Sequence, residues 1–276
     1  MKTQAIAKGL LTLLPGSNLL PKGKTGGTNA ADYCYAVWIK HLTMLYQSGL
    51  HSMPDTLAEL GPGDSLGIGL AAILSGVNHC YALDVVKYSN PDSNLRIFDQ
   101  LVGFFRTHAK IRSNGGWPDF YQHLGNDLFP SHILTEDLLR TSLSEERVQR
   151  IRDGIKNPES QDERLTIKYI VPWSDAGSIV KESVDVIVSQ SVMEHVTDLD
   201  STYRCLYLWL KPGGMMSHQI DFKSHGLSKE WNGYRSYSER TWKIITGNRP
   251  YLLNRQPGSV HVELMKKNGF RILCHL

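Results

Sequence analysis

Short apolar runs and longer segments of helical period alternate along most of the chain. Thr56 to Leu60 reads as a strand, followed by a Gly-Pro-Gly turn and a helix through Leu74. Further strands are predicted at Cys80 to Leu83, Leu165 to Val171, Val184 to Ser189 and Met215 to Phe222. A helix from about Asp198 to Leu210, closed by Lys211-Pro212-Gly213-Gly214, separates the last two. A final helix, Val260 to Lys267, stops at Asn268-Gly269 and leads into Phe270 to Cys274. This alternation predicts an α/β fold with a doubly wound, mostly parallel sheet and helices on both faces.

Three stretches depart from the rhythm. Residues 1–50 are expected to form an N-terminal arm and helical cap. Within them, Ala5 to Leu14 is an apolar docking segment split by Lys8 rather than a signal peptide, and Pro15 to Thr28 is a Gly/Pro/Lys-rich loop or arm. A helix should then start at an Asn29 cap, carry Tyr33, Val37, Leu42, Leu45 and Tyr46 on its apolar face, and stop at Gly49. The remaining domain, 51–276, holds two insertions, about 86–164 and 223–257, which are expected to be lids. The first contains helical patterns near Asn94 to His108 and Glu136 to Ile155, with Ser142 and Glu145 at capping-box spacing and a Gly115-Gly116-Trp117-Pro118 turn between them.

Composition narrows the class. With 41% hydrophobic and 21% charged residues, 276 residues support one large domain, or one domain with a substantial cap, with enough apolar content for a core. The net charge of +3 is too small to point to a nucleic-acid partner. Cys34, Cys80, Cys205 and Cys274 lack metal-site or disulfide-framework spacing and read as reduced buried thiols, so the expected location is cytoplasmic. No apolar run is long enough to span a bilayer.

The most informative local chemistry is Leu57-Ala58-Glu59-Leu60-Gly61-Pro62-Gly63-Asp64-Ser65-Leu66-Gly67. Gly61 and Gly63 permit a sharp strand-to-helix turn and a close ligand approach to bare backbone. Asp84, ending the next strand, is positioned for ribose hydroxyls. A dinucleotide dehydrogenase would look similar, but Leu66 takes its third glycine position and Asp64 would repel a pyrophosphate at the helix start. Glu59 suits an ammonium better than a phosphate.

Taken with two later motifs, this turn resembles the class I S-adenosylmethionine-dependent methyltransferases. Glu59 to Gly63 is similar to their motif I, Val184-Asp185-Val186-Ile187-Val188-Ser189-Gln190-Ser191-Val192-Met193-Glu194-His195-Val196 to their fourth-strand motif, and Leu210 to Gly214 to the turn before strand five. The Glu-His-Val form resembles the small-molecule branch that includes ubiquinone-pathway enzymes. The resemblance implies a Rossmann-like fold, S-adenosyl-L-methionine as cofactor, and cofactor contacts from Glu59, Gly61, Pro62, Gly63, Asp64, Ser65, Asp84, Ser189 and Gln190. Ser65 departs from the family's third glycine. Asp175 is the candidate adenine contact, with Trp173 as a stacking face. The family's antiparallel last strand would follow Cys274, where two residues remain, so that edge is expected to be truncated or covered otherwise and could admit a homodimer.

For the transfer itself, His195 is the candidate base, or a histidine that orders its loop; Glu194 reads first as an organiser of backbone amides. His218 and Asp221 would lie on opposite faces of strand five, with Asp221 nearer the carboxyl edge and the better substrate contact. His225, Arg249 and Tyr33 are substrate-binding candidates; Arg255 could join Arg249 in holding an anionic substrate, Tyr33 and Tyr35 could close over the cofactor, and Trp231, Tyr234, Tyr237, Trp242 and Tyr251 either line an acceptor pocket or form a cap core. No metal is expected. The function so implied is methyl transfer to an O or N atom of a small-molecule or saccharide-like acceptor. Its rivals are an NAD-dependent oxidoreductase and a non-catalytic methyltransferase-like scaffold.

Overall fold

The structure, a computed structural model, describes residues 2–14, 26–111, 128–158, 163–173 and 175–276. The elements run α1 (Lys2–Leu11), α2 (Ala31–Gln47), β1 (Thr56–Leu60), α3 (Gly67–Leu74), β2 (His79–Leu83), α4 (Pro91–Arg106), α5 (Glu136–Ser142), α6 (Glu145–Lys156), β3 (Thr166–Ile170), β4 (Val184–Gln190), α7 (Leu199–Trp209), β5 (Leu210–Gln219), α8 (Glu239–Thr246) and α9 (Gly258–Lys267). The sheet order is β3-β2-β1-β4-β5. β1 pairs in parallel with β2 and β4, and β2 with β3. This is the α/β sheet the alternation predicted, in the Rossmann-like arrangement the resemblance implied. The expected turn at Gly115 to Pro118 and most of the 15–28 arm lie outside the described residues.

The chain divides into two compact units. The larger comprises 24–190, 204–218 and 273–276. Its centre is β1, buried at every position, as expected of a strand flanked on both sides in a parallel sheet. α3, apolar all round, is buried along its whole length beside it. α2 belongs to this core: Cys34, Val37, Trp38, Ile39 and Leu42 are fully buried, and Trp38 Nε1 donates to Ser75 Oγ at 2.7 Å. The helices of the first insertion also build this core, through Ile97, Phe98, Phe105, Leu139 and Ile151. Described residues of 86–164 therefore form a packed helical layer in place of the expected lid. Arg147 ties α6 down, donating to Asn78 Oδ1 and to the carbonyls of Ile73 and Val77.

The smaller unit comprises 1–23, 191–203 and 219–272. Its core gathers Ala5, Leu227, Tyr234, Ile245 and Leu253. α1 packs on α8, and Gly9 sits so close to the Ile244 and Ile245 carbonyls that a Cβ would overlap both. The division thus separates α1 from α2, where the sequence suggested one N-terminal arm and cap.

Several local expectations are corrected. Asn29 does not cap α2: the N-cap is Ala30, without a side-chain bond. Ser142 ends α5 and Ser144, not Ser142, caps α6 by accepting from the Arg147 amide, so 136–156 is two helices. β5 starts five residues early, taking in Lys-Pro-Gly-Gly, and stops at Gln219. Proline is tolerated on an edge strand, and Gly214 allows close backbone approach, since a Cβ there would lie 3.0 Å from the Asp185 carbonyl oxygen. Phe270 to Cys274 has no regular structure. Three cysteines are buried as expected, but Cys274 is exposed.

Candidate cofactor site and histidine cluster

In the larger unit the chain leaves β1 through Gly61 and Gly63, at φ +65° and +71°, conformations that favour glycine. Five of the turn's amides find acceptors within the protein. Gly61 N–H donates to Leu83 O at 2.8 Å and Gly63 N–H to Asp84 Oδ2 at 3.4 Å. Asp64 N–H donates to Thr28 Oγ1 and Leu66 N–H to Asn94 Oδ1, each at 2.9 Å. Gly67 N–H donates to Ser65 Oγ at 3.1 Å. Strand-to-helix turns that bind phosphate offer such amides to the ligand. Here those five are bonded already, which fits a cofactor without a pyrophosphate better than a dinucleotide.

Glu59 has a different immediate partner from the expected ammonium. Only 1% exposed, it accepts from Gly69 N–H at 3.0 Å and so satisfies an orphan amide in the first turn of α3. Burial, with Asp84 adding a smaller repulsion, pushes its carboxyl up to about 8 despite the Gly69 bond. Asp84 accepts from the amides of Gly63, Val85 and Val86, and burial raises its pKa. Pro62 and Ser65 are buried and Asp64 is half-buried. The Ser65 hydroxyl donates to Thr28 O, making this departure from the family's glycine a structural lock.

After β3, Trp173 N–H donates to Asp84 O at 3.1 Å, so this loop runs beside the acidic residue. The Trp173 ring meets Trp209 edge-on at 5.6 Å, and Asp175 caps the short turn Ala176–Ser178 through Gly177 N–H. At the end of β4, Ser189 is 1% exposed and its hydroxyl is 2.8 Å from His218 Nδ1; Gln190 is the last strand residue. His41, fully buried, lies 2.8 Å from Ser217 Oγ, and burial followed by the neighbouring His218 lowers its pKa to about 3. Tyr33 is half-buried against Gly27, whereas Tyr35 is a core residue donating to Ala109 O.

The smaller unit assembles a second constellation. His195 ends the turn Met193–His195 and its Nδ1 lies 2.8 Å from Tyr251 O. A carbonyl only accepts, so Nδ1 carries the hydrogen and Nε2 the lone pair. Burial lowers the His195 pKa, outweighing the Tyr251 bond that favours the charged form. The His225 ring lies 5.5 Å away, and His225 Nε2 is 3.1 Å from Asp221 Oδ2. Asp221 lies two residues beyond β5, so the expected placement of His218 and Asp221 on opposite faces of one strand does not arise. Glu194 is 2% exposed; burial and then Asp221 push it up to about 8. Its own amide and that of Asp221 lower the pKa, but neither makes a well-formed hydrogen bond to the carboxylate. Asn254 holds the segment by donating to the carbonyls of Met193, Glu194 and Val196.

The remaining candidates of this unit are mainly structural. Arg249 donates to the carbonyls of Ile245 and Thr246, and Arg255 to those of Arg235 and Tyr237. Tyr234 and Trp242 pack into the core, 6.0 Å apart, while Trp231 and Tyr251 are exposed. Thr28 and Asn94 were missed in the sequence, where neither stands in a motif. Asn94 was visible only as the start of a helical pattern, and Thr28 as the end of an arm.

A family model described as a methyltransferase domain matches residues 129–217, about a third of the chain, including β3, β4 and most of β5 but not the glycine turn. Two solved structures of Haemonchus contortus phosphoethanolamine N-methyltransferase 2 are similar to the chain. The complex with phosphomonomethylethanolamine and S-adenosylhomocysteine shares 19% identity, with a TM-score of 0.40 over 83% of this chain and 36% of that one. The complex with S-adenosyl-L-methionine shares 17%, with a TM-score of 0.41 over 87% and 41%. This chain thus spans well under half of theirs. No curated protein matches. The sheet order is Rossmann-like, and residues 129–217 are similar to a methyltransferase domain. No described helix is long and apolar enough to cross a membrane.

Proposed function

We propose that this chain transfers a methyl group to an O or N atom of a small-molecule or saccharide-like acceptor. The observation that carries the cofactor half is the turn at Gly61 to Gly67, five of whose amides are bonded internally while Asp84 stands beside it. Such a site favours ribose hydroxyls and a cationic group over phosphates. Gly61 to Ser65 and Asp84 would hold S-adenosyl-L-methionine, which supplies a methyl group activated on a sulfonium. The protein's own task is to orient the acceptor and receive its proton.

His195 is the proposed base. Its Nδ1–H is fixed by Tyr251 O and its lowered pKa keeps it neutral, so Nε2 presents the lone pair. Asp221 and His225 are proposed acceptor contacts. A depressed pKa places the acid limb of the pH–rate profile below 6.5, the ordinary histidine value.

Thermal-shift titrations test the cofactor half: S-adenosylhomocysteine should stabilise the chain and NAD should not, while Gly61→Arg and Asp84→Ala should lose the effect. Stabilisation by NAD alone would overturn the reading, and a folded chain binding neither would favour the scaffold rival. For the transfer half, mass spectrometry of a metabolite extract incubated with protein and cofactor should reveal a methylated product. His195→Ala should reduce its formation about 100-fold or more without weakening S-adenosylhomocysteine binding; undiminished turnover would remove His195 as the base.

A further inference from the structure

A glycine turn entering a helix is by default an anion site, because its amides point outward and the helix start carries partial positive charge. In this chain two residues remote in sequence take up amides of that turn. Thr28 Oγ1 accepts from Asp64 N–H, and Asn94 Oδ1 from Leu66 N–H, both at 2.9 Å. Each is deeply buried, Thr28 at 6% and Asn94 at 5% exposure, so water does not compete freely for these bonds. Both make further bonds that fix them. Thr28 O accepts the Ser65 hydroxyl and, at 3.4 Å, the Cys34 thiol. Asn94 Oδ1 also accepts the Ser89 hydroxyl at 3.0 Å. An amide N–H can only donate, so its bond requires the side-chain oxygen of Asn94 at that position. Asn94 therefore ties the glycine turn to the loop that follows Asp84.

We propose that Thr28 and Asn94 are positioning residues that set cofactor selectivity: they hold the turn in place and withdraw two amides from any phosphate. The proposal rests on reading Gly61 to Asp84 as the S-adenosyl-L-methionine site, and it makes the segment before α2 part of that site's definition. Thr28→Val removes the acceptor at nearly constant volume, whereas Thr28→Ser keeps it; Asn94→Leu removes the second acceptor.

The test is calorimetric measurement of Kd for S-adenosylhomocysteine and for ADP on the full chain, below the thermal transition of each variant. Thr28→Val and Asn94→Leu should each weaken S-adenosylhomocysteine about tenfold, the loss expected for one buried hydrogen bond to the turn. ADP should hold or tighten, so that the ratio of its Kd to that of S-adenosylhomocysteine falls about tenfold or more. Thr28→Ser should restore the wild-type ratio. A merely structural role weakens both ligands in parallel, and a ratio within twofold of wild type in Thr28→Val overturns the proposal. If Thr28→Val does not fold, the same ratio in Asn94→Leu decides. Wild-type protein that fails to bind S-adenosylhomocysteine refutes the underlying cofactor reading instead, which separates the two failures.

Discussion

Glu59 pays for its position in its ionisation. It is enclosed beneath α3, beside the Cys34 and Cys80 thiols, whose own pKa values are raised by burial and then by Glu59. Its folded pKa of about 8 lies above the ordinary 4.5. The protonated form is therefore the one the fold favours: its contribution is complete below pH 4.5 and is lost as pH rises through about 8. Glu59→Gln keeps a carbonyl oxygen for Gly69 N–H and removes the ionisation. It should match wild-type stability at pH 4 and exceed it at pH 8 by on the order of 4 kcal/mol, read from urea denaturation at both values. Equal stability at pH 8 would show that Glu59 ionises there at little cost. This role was half legible: Glu59 stood in a recognisable motif, but its service to the α3 amide depends on the helix lying over β1.

At the level of elements, the strands were read well because period and turn residues are local properties. β1, β2, β3 and β4 lie within a residue of their expected bounds. β5 was not, because Lys-Pro-Gly-Gly has the chemistry of a turn and only the neighbouring strand draws it into the sheet. Gly214 records that pairing: a Cβ would sit 2.9 Å from Leu210 Cδ2 and 3.0 Å from Asp185 O. Gly214→Val should thus push β5 from β4 and lower stability by about 1–3 kcal/mol, measured by chemical denaturation. An unchanged midpoint would mean that β5 tolerates displacement there. The first insertion was misjudged for a related reason. Its amphipathic helices could have covered a ligand or a core, and the pattern of apolar positions is the same for both.

For the whole molecule, four buried groups set opposing proton linkages. Glu59 and Glu194 are pushed up from 4.5 to about 8, so each destabilises the fold as pH rises between those values. His41 and His261 are held neutral, at about 3 and about 4, the first by burial and His218, the second by burial and Arg235. The unfolded chain protonates these histidines below 6.5 while the folded one does not, so stability falls as pH drops from 6.5 through those values. Between pH 4.5 and 6.5 the two pairs cancel. Above 6.5 the carboxyl pair acts alone, and below 4.5 the histidine pair does, each proton worth about 1.4 kcal/mol per pH unit. Differential scanning calorimetry should therefore show a plateau in Tm near pH 4.5–6.5 with declines on both sides. The double variant Glu59→Gln/Glu194→Gln should flatten the alkaline decline; persistence of that decline would assign it elsewhere.

The amino-acid sequence by itself determined the α/β alternation, the glycine turn, the acidic residue that follows it and the Glu194-His195 pair after β4. Those features depend on local backbone preference and on spacing along one strand or turn. Tertiary structure decided which groups use them. It placed α2 in the main core, drew Thr28 and Asn94 to the turn's amides, turned Ser189 to His218, and fixed the His195 tautomer through Tyr251 O. The physical reason is that buried donors and acceptors must be satisfied wherever the fold brings a partner. Partners 28, 36 or 56 residues apart leave no periodic trace in the chain.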